Sequence, residues 1–155
     1  MNLETQTDLD KTTLEAAKNL VQACIDSANG FQEIAKDVND QQLAELFQSM
    51  GETRRKLVEE LQEHVVISGD QPPTEGTWLA ALHRSWIDLR ASISGGDPKV
   101  ILVEAERGED YIKQAYEDVI KRTAGSALNS VLLQQYQTVK KGHASVRALR
   151  EAMVE

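Results

Sequence analysis

Four stretches of this sequence place apolar residues alternately three and four positions apart, and a pattern sustained over that length fits one conformation, a long α-helix with a narrow packing seam. The first covers residues 12–38 through Leu14, Ala17, Val21, Cys24, Ala28, Phe31, Ala35 and Val38. Thr12 and Glu15 have the spacing of a capping box at its start. Asn39-Asp40 then supplies a turn and an N-cap. The second seam follows as Leu43, Phe47, Met50, Arg54, Leu57, Leu61 and His64, until Ser68-Gly69 stops it. Asp97-Pro98 opens the third helix, over residues 97–122, with an N-cap residue and a proline at the first helical position. Its seam is Ile101, Ala105, Gly108, Ile112, Ala115 and Val119. After a turn at Gly125-Ser126 the fourth runs from Leu128 to the end of the sequence, through Leu132, Gln135, Val139, Gly142, Val146, Leu149 and Met153.

The connections decide the topology. The turns after the first and third helices are short, so each of those helices forms an antiparallel hairpin with its successor. Between the second and third lie the loop Gly69–Gly76, with Pro72-Pro73, and a shorter amphipathic stretch over residues 77–93. That stretch carries Trp78, Leu79, Leu82, Trp86, Leu89 and Ile93, and it is expected to cover the bundle as a short fifth helix. A connection of this length leaves the second and third long helices parallel. The expected fold is therefore all-α, a four-helix bundle of two antiparallel hairpins joined by a long crossover. Residues 12–155 make a single domain after a polar, aperiodic and flexible N-terminus at 1–11.

Composition limits the partners. With 25 acidic against 17 basic residues and a net charge of -8, the chain opposes phosphate backbones and anionic lipid surfaces. Neither nucleic acid nor a membrane is an expected partner. Met1–Asp8 shows no basic patch followed by an apolar run, and no stretch of eighteen apolar residues occurs, so a cytoplasmic protein is expected. The single cysteine, Cys24, sits among apolar neighbours and reads as a small core residue.

The third helix carries Glu104, Glu106, Glu109 and Asp110 beside its seam, and in a four-helix bundle such carboxylates can hold two metal ions or remain structural. A dinuclear site needs a glutamate from each of two helices and Glu-x-x-His from each of the other two. That motif is absent: Leu61, Ala80 and Lys140 stand three residues before His64, His83 and His143. A degenerate iron or manganese site would have to use Glu106, Glu109 and His143. Arg54 sits instead on the second seam near its midpoint, where a buried guanidinium requires a carboxylate. The expected partner is Glu109, or failing it Glu106, in a buried ion pair. His83 and Arg84 on the crossover beside Trp86 are a weaker candidate for anion contact, and Gln135 reads as a buried amide that fixes helix register. No phosphate loop, nucleophile elbow or zinc spacing is present, so no catalytic or cofactor-binding residue is assigned.

Ala81-Leu-His-Arg-Ser-Trp86-Ile-Asp-Leu-Arg90, Gly95-Gly-Asp97 and Glu106-Arg-Gly-Glu-Asp110 resemble a bacterial family of small ferritin-like four-helix-bundle proteins whose function is unassigned. The resemblance runs through nearly the whole chain and implies the ferritin-like fold. Members of that family carry acidic residues just before the glycine and aromatic of the first helix, where this chain has Ser27-Ala28-Asn29-Gly30-Phe31. Three functions are compatible with this sequence. The favoured one is a non-enzymatic bundle acting through protein contacts as a homo-oligomer, a dimer being the simplest closed form. The others are a metal-binding redox or storage protein, and a small-ligand binder using space under the crossover.

Overall fold

The computed structural model describes residues 4–75 and 80–153, with 80–85 as backbone alone. Five helices lie within these residues: α1 Lys11–Asp37, α2 Gln41–Ile67, α3 Ala80–Gly95, α4 Pro98–Arg122 and α5 Asn129–Ala152. Local chemistry sets several of their ends. The Asp40 carboxylate accepts from the Leu43 N–H at 3.0 Å, and Asp97 accepts from the Lys99 N–H at 3.0 Å just ahead of Pro98. At the end of α2, Gly69 takes φ 87°, which an L side chain resists. Its N–H donates to the Val66 carbonyl at 2.9 Å and the Asp70 N–H to Val65 at 3.1 Å, the paired bonds of a Schellman stop.

The hairpins α1·α2 and α4·α5 pair along their lengths, with α3 lying between them in the chain. Across α1 and α2, Lys18 reaches Asp70 near one end and Ser27 meets Arg54 near the middle, so the two run antiparallel. Across α4 and α5, Glu106 meets Arg150 and Tyr116 meets Gln135, again antiparallel. The helices α2 and α4 are parallel, because Leu43 and Phe47 share one apolar cluster with Ile101 and Leu102, while Leu61 and Val65 share the other with Tyr116 and Val119. The short helix α3 folds back on α4 and reaches α1. Leu89 is buried there, and the Trp86 indole meets the Phe31 ring edge-on at 5.1 Å between centroids. Gly30 makes that approach possible: a Cβ on it would stand 2.4 Å from Trp86 Cε2. The part of this helix expected over residues 77–79 lies outside the described residues.

Three expectations need correction. The chain from Glu4 is not a loose tail: Leu9 is buried in the core, its N–H donates to Ser68 Oγ at 3.1 Å, and the Glu4 carboxylate accepts from the N–H of Ala127 at 2.6 Å. One buried leucine and one well-placed carboxylate anchor a segment whose composition carries no periodic signal. The capping box at Thr12 does not form, because α1 begins at Lys11 and Asp10 holds the N-cap position with extended backbone. The third long helix buries Ile101, Ala105, Gly108, Ile112 and Val119 of its expected seam but adds Glu109 and Tyr116 to the buried face, while Ala115 is only half-buried.

The core consists of two apolar clusters. One gathers the α1 start, the α2 end and the Ile112–Val119 part of α4, and the other gathers Phe31, Phe47, Met50, Ile101 and Val146. Of the apolar residues off the expected seams, Leu46 is half-buried against one cluster, and Leu20, Ile25, Ile34 and Val58 are buried inside the two. They widen the core of a single chain and are not left for contact with a second one.

Candidate functional site

Between the two clusters each long helix loses its apolar side chain at one level. On α1, Ser27 stands between Cys24 and Phe31; on α2, Arg54 stands between Met50 and Leu57. On α4, Glu109 stands between Ala105 and Ile112, and on α5, Gly142 stands between Val139 and Val146. Arg54 is 1% exposed and Glu109 is 0% exposed, so neither charge is solvated. Arg54 Nη2 donates to Glu109 Oε2 at 2.5 Å and Nη1 donates to Ser27 Oγ at 3.0 Å. The guanidinium carbon also lies 5.9 Å from the centroid of the Phe31 ring, within reach of its electron-rich face. Gly142 lets α5 close over this layer, since a Cβ there would come 3.0 Å from Arg54 Nη2.

Burial by itself would lower the affinity of Arg54 for its proton, but the charge of Glu109 and its hydrogen bond outweigh that, and the net shift is upward. The guanidinium is therefore a permanent interior cation. Glu109 Oε1 is buried with no hydrogen-bond partner among the described residues, so the carboxylate depends on Arg54 for its compensation.

A second polar chain runs beside this pair. The phenol of Tyr116 donates to Gln135 Oε1 at 2.8 Å, and the Gln135 amide donates to Glu60 Oε1 at 2.6 Å and to the Leu57 carbonyl at 3.3 Å. Because the single phenolic hydrogen is committed to Gln135, the Cys24 thiol, 3.3 Å from the same oxygen, is the donor in that contact. Burial pushes the Cys24 thiol up, and burial followed by the neighbouring thiol pushes Tyr116 well above the ordinary phenol range. Both groups are neutral and closed to solvent, the condition of an inert thiol and a structural tyrosine. The network ties α1, α2, α4 and α5 together at one register.

The other carboxylates of α4 go elsewhere. Glu106 accepts from Arg150 Nε at 2.5 Å, Glu104 pairs with Arg107 at 3.2 Å, and Asp110 lies 2.6 Å from His143 Nε2. Glu106, Glu109 and His143 thus have three separate partners and do not converge. Among the described residues no group of three His, Cys, Asp or Glu side chains is placed to hold a metal ion. A cation already pairs with Glu109; Ser27, Tyr116 and Gln135 beside it are neutral, and the Glu60 carboxylate at the edge of this layer is held by the Gln135 amide. The donor set does not fit a dinuclear iron or manganese centre.

The Trp86 ring packs on α1, its Nε1 buried without a partner among the described residues. The side chains of His83 and Arg84 lie outside the described residues. His64 is half-buried near the end of α2. Of the polar chain from Cys24 to Glu60, the sequence places Cys24 and Gln135 on expected seams, while Tyr116 and Glu60 escape it.

Among the described residues no helix is long and apolar enough to cross a membrane. No curated protein matches the chain. Residues 12–123, which contain α2 to α4, all of α1 but its first residue, and Ser27, Arg54 and Glu109, match the family described as Domain of unknown function (DUF2383), and the chain belongs to that family.

Proposed function

We propose that this protein is a non-enzymatic, ferritin-like helical bundle that acts through protein contacts, as a homo-oligomer. The observation that carries this reading is the Arg54–Glu109 pair: the level at which a metal-holding bundle gathers carboxylates and imidazoles is here closed by an ion pair at 2.5 Å. With its interior committed to structure, the molecule has its outer faces left for recognition.

The α4 surface supports the oligomeric part of the proposal. Val100, Val103 and Tyr111 are exposed and fall on one stripe of that helix, 45%, 38% and 40% accessible. Glu104 and Arg107 lie on the same stripe and offer both signs of charge. A two-fold contact requires a patch complementary to itself, and an apolar stripe bearing adjacent opposite charges meets that requirement when two copies run antiparallel. Light scattering at micromolar concentration tests this: a dimer mass that falls to the monomer mass in Val103→Glu supports it. A monomer mass for the unaltered protein contradicts it.

A further inference from the structure

We propose that the cleft between α2 and α5 is a binding site for a small oxyanion, a phosphate or a carboxylate. The cleft encloses about 260 Å³ and runs along Ser49, Thr53 and Arg54 on α2 and Thr138, Lys141 and Gly142 on α5. Its lining carries no acid, the charge of Arg54 is balanced by Glu109 from outside the lining, and Lys141 adds an uncompensated cation, in a chain with 25 acidic residues against 17 basic ones. That local reversal of sign is the first argument for an anion.

The second is the floor. Arg54 is fixed from three sides, by Glu109, Ser27 and the Phe31 ring, and its two terminal nitrogens each donate once in these contacts. A guanidinium has two hydrogens on each terminal nitrogen, so each retains a second N–H. Glu109 approaches from α4 and compensates the charge without consuming those donors. Gly142 packs over Nη2, where a Cβ would come within 3.0 Å, and both residues line the cleft.

The third is the mouth. Lys141 is exposed, with no carboxylate partner among the described residues, and supplies uncompensated positive charge. The hydroxyls of Thr53 and Ser145 are spent on the carbonyls one turn earlier, Ser49 and Lys141, at 2.9 and 3.0 Å. Those of Ser49 and Thr138 have no such bond among the described residues and remain free to donate. An oxyanion that takes one hydrogen bond from each wall and faces the Lys141 ammonium matches this arrangement. The site is separate from the exposed α4 stripe and does not depend on how the bundle assembles.

The test is titration of inorganic phosphate and, separately, acetate into the ¹⁵N-labelled full-length protein at constant ionic strength, followed by amide shifts. Saturable shifts grouped at Thr53, Thr138 and Gly142 are expected. Response to phosphate alone assigns a phosphate ligand, response to acetate alone a carboxylate, and response to both a general oxyanion site. Lys141→Glu should weaken the apparent affinity about tenfold, the loss expected for one charge-assisted contact. Lys140→Glu, whose ammonium lies 4.9 Å from the Tyr136 ring centroid and outside the cleft lining, should leave it unchanged. Absence of saturable shifts with either anion, or equal weakening in the two variants, overturns the proposal.

Discussion

Arg54 Nη2 lies 2.5 Å from Glu109 Oε2, between α2 and α4, where the other two long helices contribute only Ser27 and Gly142. The pair separates two apolar clusters and holds two parallel helices at one relative height. Desolvating both charges offsets much of their attraction, so its main effect is on register and on what the interior can accommodate. Removing one partner is a different matter, because the other charge remains buried. Arg54→Met should destabilise the fold by about 3–5 kcal/mol, and Arg54→Met combined with Glu109→Gln should recover part of that loss. Urea denaturation of the two single variants and the double variant measures the coupling; strictly additive losses would mean that the contact is incidental.

Gly30 is the point where α3 docks on α1. Ordinarily Gly→Ala inside a helix gains about 1 kcal/mol. Here the new methyl would stand 2.4 Å from the Trp86 indole, which cannot move without leaving Phe31. Gly30→Ala is therefore expected to cost about 1–3 kcal/mol, the usual range for overpacking. The same variant should shift the tryptophan emission, and Gly30→Ala together with Trp86→Ala should lose less than the sum of the two. A Gly30→Ala protein more stable than the original would place Trp86 elsewhere.

Asp26 gives a pH dependence whose sign can be worked out. Burial raises its carboxyl to about 6 from an ordinary value of 3.8, and Oδ2 has no hydrogen-bond partner among the described residues. The folded state therefore holds this proton more tightly than the unfolded one. Between those two values folding takes up a proton, so the Asp26 contribution increases stability as pH falls through about 6 and decreases it as pH rises. The side chain is only partly buried, and screening reduces the effect to about 1 kcal/mol or less. Asp26→Asn should flatten the stability profile between pH 4 and 6 and raise stability at pH 7, as read from denaturation midpoints across that range. An unchanged profile would show that the carboxyl is solvated.

Much of this arrangement is legible in the amino-acid sequence, because the features that specify it are local. Asp40, Asp97-Pro98 and Gly69 punctuate the helices through their own backbone chemistry, and Arg54 stands out as a charge on a seam. The stripe of α4 is harder to read. Ala115 fits an apolar pattern while Glu109 and Tyr116 do not, yet Ala115 is only half-buried and the other two are buried, since each has a partner on another helix. A polar residue on a buried face looks like a solvated one until its partner is known. Ser27, Glu60 and the anchored Leu9 are hidden for the same reason, because contacts between distant residues define them and periodicity does not.

The central claim, that an ion pair closes the interior at the level where a metal-holding helical bundle gathers its ligands, is tested most directly by metal content. The protein is purified in the presence of ferrous iron and manganese, desalted and analysed by mass spectrometry alongside Glu109→Gln. The account predicts far less than one equivalent of either metal per chain, and no difference between the two proteins. One or two equivalents in the unaltered protein, lost in Glu109→Gln, would contradict it.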